Sequence, residues 1–171
     1  MLPLVWGADP DEHARAYPAD TMVDGPVLRM TRAVHVDAPP AHVWRWLCQM
    51  EVAPYSYDWI DNRGRRSPRE LTPGVTDPLV GQRVQVFRVT DVQPGRQWSG
   101  FTIPPVFGRT AVTYAVEPDV RGSRLVCRIL TSQRGPAAWV GSRLLAWGDL
   151  VMMRKQLLTL KRLAEAARVE P

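Results

Sequence analysis

The sequence predicts an α+β fold in which a curved antiparallel sheet wraps around one long C-terminal helix. Three observations point there. From Val27 the chain alternates apolar and polar residues, as a half-buried strand does. Beyond Arg83, four similar runs follow one another across short turn signals, the pattern of an antiparallel meander. From about Gly141 to Arg168 the chain becomes rich in Leu, Met, Arg and Ala, all good helix formers. Sheet and helix each have an apolar face to bury, and packing one on the other buries both.

Residues 1–26 show no clear period and are read as an N-terminal arm packing over the domain of residues 27–168. In the first strand of that domain, Leu28, Met30, Val34 and Val36 share a face, and Arg32 falls among them. Asp37-Ala38-Pro39-Pro40 ends the strand and starts a helix, since proline needs no N–H in a first helical turn. Val43, Trp46, Leu47 and Met50 then mark its apolar face. A second short helix is expected over Tyr55–Ile60, which puts two short helices between the first and second strands. The Pro/Gly/Arg-rich stretch from Gly64 to Gly81 reads as a long connection. Arg83–Val92 is expected as one strand with a bulge near Phe87-Arg88. Pro94-Gly95 turns the chain into Gln97–Ile103. Thr110, Val112, Tyr114 and Val116 alternate cleanly. After a turn at Pro118–Gly122, Leu125, Cys127 and Ile129 oppose Arg124 and Arg128. On the final helix, some 40 Å long at about 1.5 Å per residue, Trp147, Leu150, Val151, Leu157 and Leu158 are expected to form the apolar side, with Arg154 projecting from it. Gly148, unfavourable inside a helix, is expected to mark a kink or a close contact.

At 171 residues, 45% hydrophobic and 23% charged, the chain has the balance of one globular domain. This excludes a disordered chain, a collagen-like repeat and a membrane bundle. The formal charge is +5, and all but two of the 22 basic residues are arginines. They are spread along the chain. The one dense group, Arg63, Arg65, Arg66 and Arg69, lacks the interleaved aromatics of a base-stacking platform. It reads as a solvated surface, so no nucleic-acid partner is expected. No stretch is apolar enough for stable membrane insertion. The start, Met1–Trp6, lacks the basic flank of a signal peptide, and the two cysteines make no disulfide framework. A cytoplasmic location with reduced thiols is expected.

Val36-Asp37-Ala38-Pro39-Pro40-Ala41-His42-Val43-Trp44 resembles the first strand-to-helix junction of the START-like (SRPBCC) superfamily. Tyr55-Ser56-Tyr57-Asp58-Trp59 is similar to a segment of its bacterial members, and Gly148–Leu157 to their C-terminal helix. The superfamily has a helix-grip fold and includes polyketide cyclases/dehydratases, lipid-transfer domains and plant pollen allergens. The resemblance spans about Val27 to Ala167. It implies a cavity between sheet and long helix, closed by loops at one end. The lining expected there is Trp46, Tyr55, Tyr57, Trp59, Phe87, Trp98, Phe101, Phe107, Tyr114, Trp147 and Met153, with Arg32. Large rings with polar tips suit flat, partly oxygenated ligands, although the same rings also serve as core filling. Pro104–Gly108, carrying Phe107, is either a lid or an ordinary hairpin loop.

Charges facing inward are costly unless paired, which singles out Arg32, Arg154 and Asp58. One reading has Asp58 and an arginine bracket the polar end of a ligand. In an enzyme, Asp58 then acts as general base toward an acidic C–H and Arg154 stabilises the enolate. The other reading is a buried ion pair locking the short helix against the long one. His13, His35 and His42 lack metal-ligand spacing, Cys48 reads as a packing residue, and no hydrolase or nucleotide-binding motif occurs. No metal and no cofactor are expected. The reading that results is a protein binding a hydrophobic, aromatic or lipid-like small molecule in its cavity. The alternatives are a cyclase/dehydratase using the same cavity, and a protein-binding module with an apolar patch at Leu145, Met152 and Leu163. A monomer and a homodimer are both compatible with it.

Overall fold

A computed structural model describes residues 2–103 and 109–166, the side chains of residues 137 and 138 excepted. Within these residues the chain forms a seven-stranded sheet. Its strands are β1 (Val5–Trp6), β2 (Val27–Val36), β3 (Arg83–Val84), β4 (Phe87–Gln93), β5 (Gln97–Thr102), β6 (Thr110–Asp119) and β7 (Gly122–Ser132), in the order β1-β2-β7-β6-β5-β4-β3. Every pairing is antiparallel except that of β1 with β2. Helices α1 (Pro10–Ala14), α2 (Pro40–Cys48), α3 (Asp58–Asp61) and α4 (Pro136–Ala166) complete the fold, with short 3-10 turns at Pro18–Thr21 and Gln49–Glu51. At about 1.5 Å per residue the 31 residues of α4 extend roughly 46 Å. This is the α+β helix-grip arrangement, with α2 and α3 between β2 and β3.

The expected single strand over Arg83–Val92 is two strands. Gln85 takes a left-handed φ of 55°, and Val84 pairs with Phe87 across a tight hairpin. The bulge lies further on, between Val89 and Asp91. Opposite it, a Cβ on Gly100 would overlap the Arg88 carbonyl oxygen, so only glycine lets the two backbones approach so closely. Tyr55 precedes α3 rather than joining it, with φ of 56°.

The apolar face of α4 is only partly the expected one, since of the expected residues Leu150 and Leu157 alone lie on it. Ala146, Leu150, Met153, Leu157, Leu160 and Ala164 are buried, whereas Trp147, Val151 and Leu158 are exposed. Leu163 is also buried, so the outward apolar residues of the helix are a different set, which includes Val140 and Leu144. Both stripes of α4 are rich in apolar residues, so composition alone does not choose between them. Gly148 meets no neighbour that a Cβ would disturb.

The sheet buries both faces. Leu28, Met30, Val34, Val112, Tyr114, Val116, Leu125, Cys127 and Ile129 face α2 and α4 in the main core. On the outer face, the arm lays Tyr17, Ala19 and Val23 against Ala33, Ala111, Ala115, Val126 and Leu130. Helix α1 begins with a capping box in which Asp9 and Glu12 bond each other's backbone N–H groups. Glu12 also accepts from the Arg124 guanidinium at 2.7 Å. Arg128, fully buried on the same outer face, donates to the carbonyls of His13 at 2.8 Å and Arg15 at 2.9 Å. Its guanidinium lies 5.0 Å from the centre of the Tyr17 ring and 3.7 Å from Asp20. The arm is therefore held by apolar contacts, by the Arg124–Glu12 pair and by a buried cation reading its backbone.

Replacing Arg128 with Met leaves those carbonyls without their donor and takes a nearby cation from Asp20, at a cost of about 3 kcal/mol. Urea unfolding measures this loss. Amide exchange is expected to accelerate first over residues 10–21, ahead of the strands beneath.

Candidate functional site

Strand register builds the inner site. Trp6 pairs with Arg32, Arg32 with Cys127, Cys127 with Tyr114, Tyr114 with Trp98, and Trp98 with Val92. Because side chains alternate along each strand, Arg32, Cys127, Tyr114 and Trp98 form one row across the face beneath α4. The helix supplies Asp149, Met153 and Gln156 above it, at the i, i+4, i+7 spacing of one helical face.

Arg32 is fully buried. It donates to the Leu4 carbonyl at 2.7 Å and lies 3.0 Å from a carboxylate oxygen of Asp149. A longer contact of 3.4 Å reaches the Ala146 carbonyl. Burial pushes the Asp149 carboxyl up to about 6, and the neighbouring guanidinium opposes that rise. Next in the row, Tyr114 donates to the side-chain oxygen of Gln156 at 2.8 Å, and the Gln156 amide donates to the Pro54 carbonyl at 2.6 Å. Trp98 stacks on Tyr114 at 4.9 Å between ring centres, and Phe87 tilts against Trp98 at 6.3 Å. Trp46 meets Tyr55 edge-on at 6.2 Å. Burial raises the Tyr114 hydroxyl and the Cys127 thiol well above their ordinary values, so both remain protonated.

Several polar atoms of this interior make no hydrogen bond among the described residues: Trp46 Nε1, Trp98 Nε1, the Tyr55 hydroxyl and Arg32 Nε. Buried donors are ordinarily paired. Four of them in one aromatic core is a concentration that packing alone does not require.

Of the expected lining, Arg32, Trp46, Tyr55, Phe87, Trp98, Tyr114 and Met153 belong to this core or pack on it. Other expected residues lie elsewhere. Trp59 and Trp147 are 75% and 55% exposed, on outward faces of α3 and α4. Phe101 alternates with Trp98 and Gly100 and so shares the outer face with Ala111, beneath the Arg109 guanidinium at 5.3 Å. Tyr57 caps α3 and is half-buried. Phe107 and its loop lie outside the described residues.

The expected Asp58–Arg154 pairing does not form. Asp58 accepts from the Ser67 hydroxyl at 2.5 Å and the Ser67 N–H at 2.8 Å, so it fastens the connection after α3. Arg154 is exposed and stands 5.7 Å from the Trp6 ring centre. It sits on the solvent side because the buried stripe of α4 runs through Leu150, Met153 and Leu157. Cys48 is a packing residue, its thiol 3.9 Å from Asp77 and pushed up to about 12, chiefly by burial. Sequence reading missed Asp149 and Gln156. A signal for Asp149 was present: a buried Arg32 needs an acid, and Asp149 and Glu165 are the only acids in α4. Among the described residues no group of three His, Cys, Asp or Glu side chains can hold a metal ion, and no helix is long and apolar enough to cross a membrane.

Breaking the pair from one side strands a buried charge, so Arg32→Met or Asp149→Leu alone costs about 3–5 kcal/mol, and the double variant costs less than either. Denaturant midpoints of the three chains check this. Because the folded-state value of Asp149 is raised, its contribution is fully present below about pH 4 and is lost as pH rises through about 6. The stability difference between the wild type and Asp149→Asn therefore shifts against the wild type across that window, and melting temperatures measured from about pH 3.5 to about 7.5 follow the change.

No protein-family model and no curated protein sequence matches the chain. Solved structures do. The crystal structure of protein MLL2253 from Mesorhizobium loti is 18% identical with a TM-score of 0.55, over 84% of this chain and 99% of that one. The di-domain ARO/CYC StfQ of the steffimycin biosynthetic pathway is 13% identical with a TM-score of 0.54, over 83% of this chain; the match spans 52% of StfQ. The polyketide-cyclase-like protein Cgl2372 from Corynebacterium glutamicum is 15% identical with a TM-score of 0.51, over 84% of this chain and 95% of that one. What the chain shares with these proteins is their fold, a curved sheet gripping a long C-terminal helix.

Proposed function

We propose that the chain binds a hydrophobic small molecule, aromatic or lipid-like, between the inner face of the sheet and α4. The observation that carries this reading is the set of buried donors on Trp46, Tyr55, Trp98 and Arg32 that make no hydrogen bond among the described residues, set among edge-on and stacked rings. A flat ligand bearing oxygens at its edge supplies acceptors to those donors and apolar surface to the rings. The ARO/CYC protein StfQ of the steffimycin biosynthetic pathway and the polyketide-cyclase-like Cgl2372 share this fold, which supports a ligand of that kind.

A second reading, a cyclase or dehydratase, draws support from Asp149. A carboxyl near 6 beside a guanidinium suits proton transfer close to neutral pH, with Arg32 stabilising developing negative charge. In that reading the acid is Asp149, and Asp58 and Arg154 play no part in the chemistry.

Native mass spectrometry of freshly purified protein, followed by denaturing analysis of the released fraction, tests the binding reading. A retained small molecule supports it. An empty protein that also fails to bind a panel of hydroxylated aromatics and long-chain fatty acids overturns it. Tyr55→Phe is expected to weaken a hydroxylated aromatic about three- to tenfold, the worth of one hydrogen bond, and to leave its parent hydrocarbon unaffected. Conversion of the ligand by the wild type, and its loss in Asp149→Asn, separates enzyme from carrier.

A further inference from the structure

The arginine cluster singled out in the sequence acquires a partner element in the fold. Arg66 and Arg69, on the connection after α3, face Lys155 and Arg162 of α4 across a cleft of about 330 Å³. Lys155, Thr159 and Arg162 stand at i, i+4 and i+7, one face of the helix. This cleft lies apart from the Arg32–Asp149 row. Tyr55 contributes to its wall while its ring packs on Trp46 in the core.

Four cations thus converge on one concavity from two elements. None of the four side chains makes an ion pair or a hydrogen bond among the described residues. The one acid in the lining is Asp58, and both its oxygens are taken by Ser67. Its role there is to hold the arginine-bearing connection in place. The Tyr55 N–H donates to the Ser67 hydroxyl at 3.2 Å, the Gly64 N–H to the Asp58 carbonyl at 2.8 Å, and the Asn62 side-chain amide to the Arg65 carbonyl at 2.6 Å. Arg66 and Arg69 therefore start from a fastened backbone, and less ordering is required when a ligand binds.

We infer that this cleft is a binding site for a phosphoryl group. A dianion compensates the clustered charge better than a single carboxylate does. Guanidinium forks match tetrahedral phosphate oxygens in pairs, and an ammonium adds a point charge. The cleft volume admits a phosphate and the first part of whatever carries it. Two sources share that chemistry: a soluble phosphomonoester and the headgroup of an anionic phospholipid.

The test uses the full chain and two variants, Lys155→Gln/Arg162→Gln and Arg66→Gln/Arg69→Gln, all at exposed positions whose loss leaves the core intact. Titration calorimetry with inorganic phosphate and with phenyl phosphate, at constant ionic strength set by chloride, is expected to show one saturable site. Each double variant is expected to weaken it tenfold or more, because each removes two charge-assisted contacts from the cleft. Flotation with phosphatidylcholine vesicles, with and without phosphatidic acid, identifies the source. Binding to soluble phenyl phosphate assigns a phosphomonoester. Variant-sensitive binding to phosphatidic acid vesicles alone assigns a lipid headgroup. Binding in neither arm, binding that chloride reproduces, or binding that both variants retain overturns the inference. The readout is independent of any occupant of the aromatic interior.

Discussion

A single buried guanidinium organises this protein. Arg32 stands on the face of the sheet that ought to be wholly apolar, and nothing in a hydrocarbon core can solvate it. Its partners come from two distant parts of the chain: the Leu4 carbonyl from the N-terminal edge, and Asp149 and the Ala146 carbonyl from the long helix. The position of α4 over the sheet is therefore set by more than apolar contact, which slides easily along a greasy groove. One turn of helix must lie over one strand position. The stacked Trp98–Tyr114 pair and the Tyr114–Gln156–Pro54 chain repeat this fixing further along the same row.

The opposite face uses the same device in reverse. Arg128 is also fully buried, but its partners are mainly backbone carbonyls of the arm. A short, proline-containing segment with little regular structure cannot secure itself through its own ladder. A cation rising from the sheet supplies the donors its carbonyls lack. The two arginines divide the labour: Arg32 positions the helix, and Arg128 fastens the cover on the other side.

How much of this could be read in advance depended on the period of each element. Strands with one consistent phase, such as β2, β6 and β7, were legible, and Arg32 stood out because it violated the phase around it. The long helix was legible as a helix but not in its rotation. Leu150 and Leu157 are buried, while Trp147, Val151 and Leu158 lie on the solvent side, so two apolar stripes compete. Choosing the wrong stripe moved Arg154 inward and concealed Asp149 and Gln156. The Asp58 error had another cause. A short carboxylate near a turn finds local N–H and hydroxyl donors, and Ser67, nine residues on, met that need before any distant arginine. Phe101 was misassigned through its size, since its strand position puts it on the outer face.

Gly100 shows where the shape of the grip resides. The bulge between Val89 and Asp91 presses the backbone of β4 onto β5 at that one residue, in a space that no side chain can share. Sheet coiling is usually a collective property, spread over many small twists. Here part of it is concentrated at a single atom's absence. The chain can therefore vary the rings of its interior widely while its bend stays fixed. The same economy leaves the bend with no reserve, because even one added methyl at residue 100 would pry the last hairpin away from the sheet.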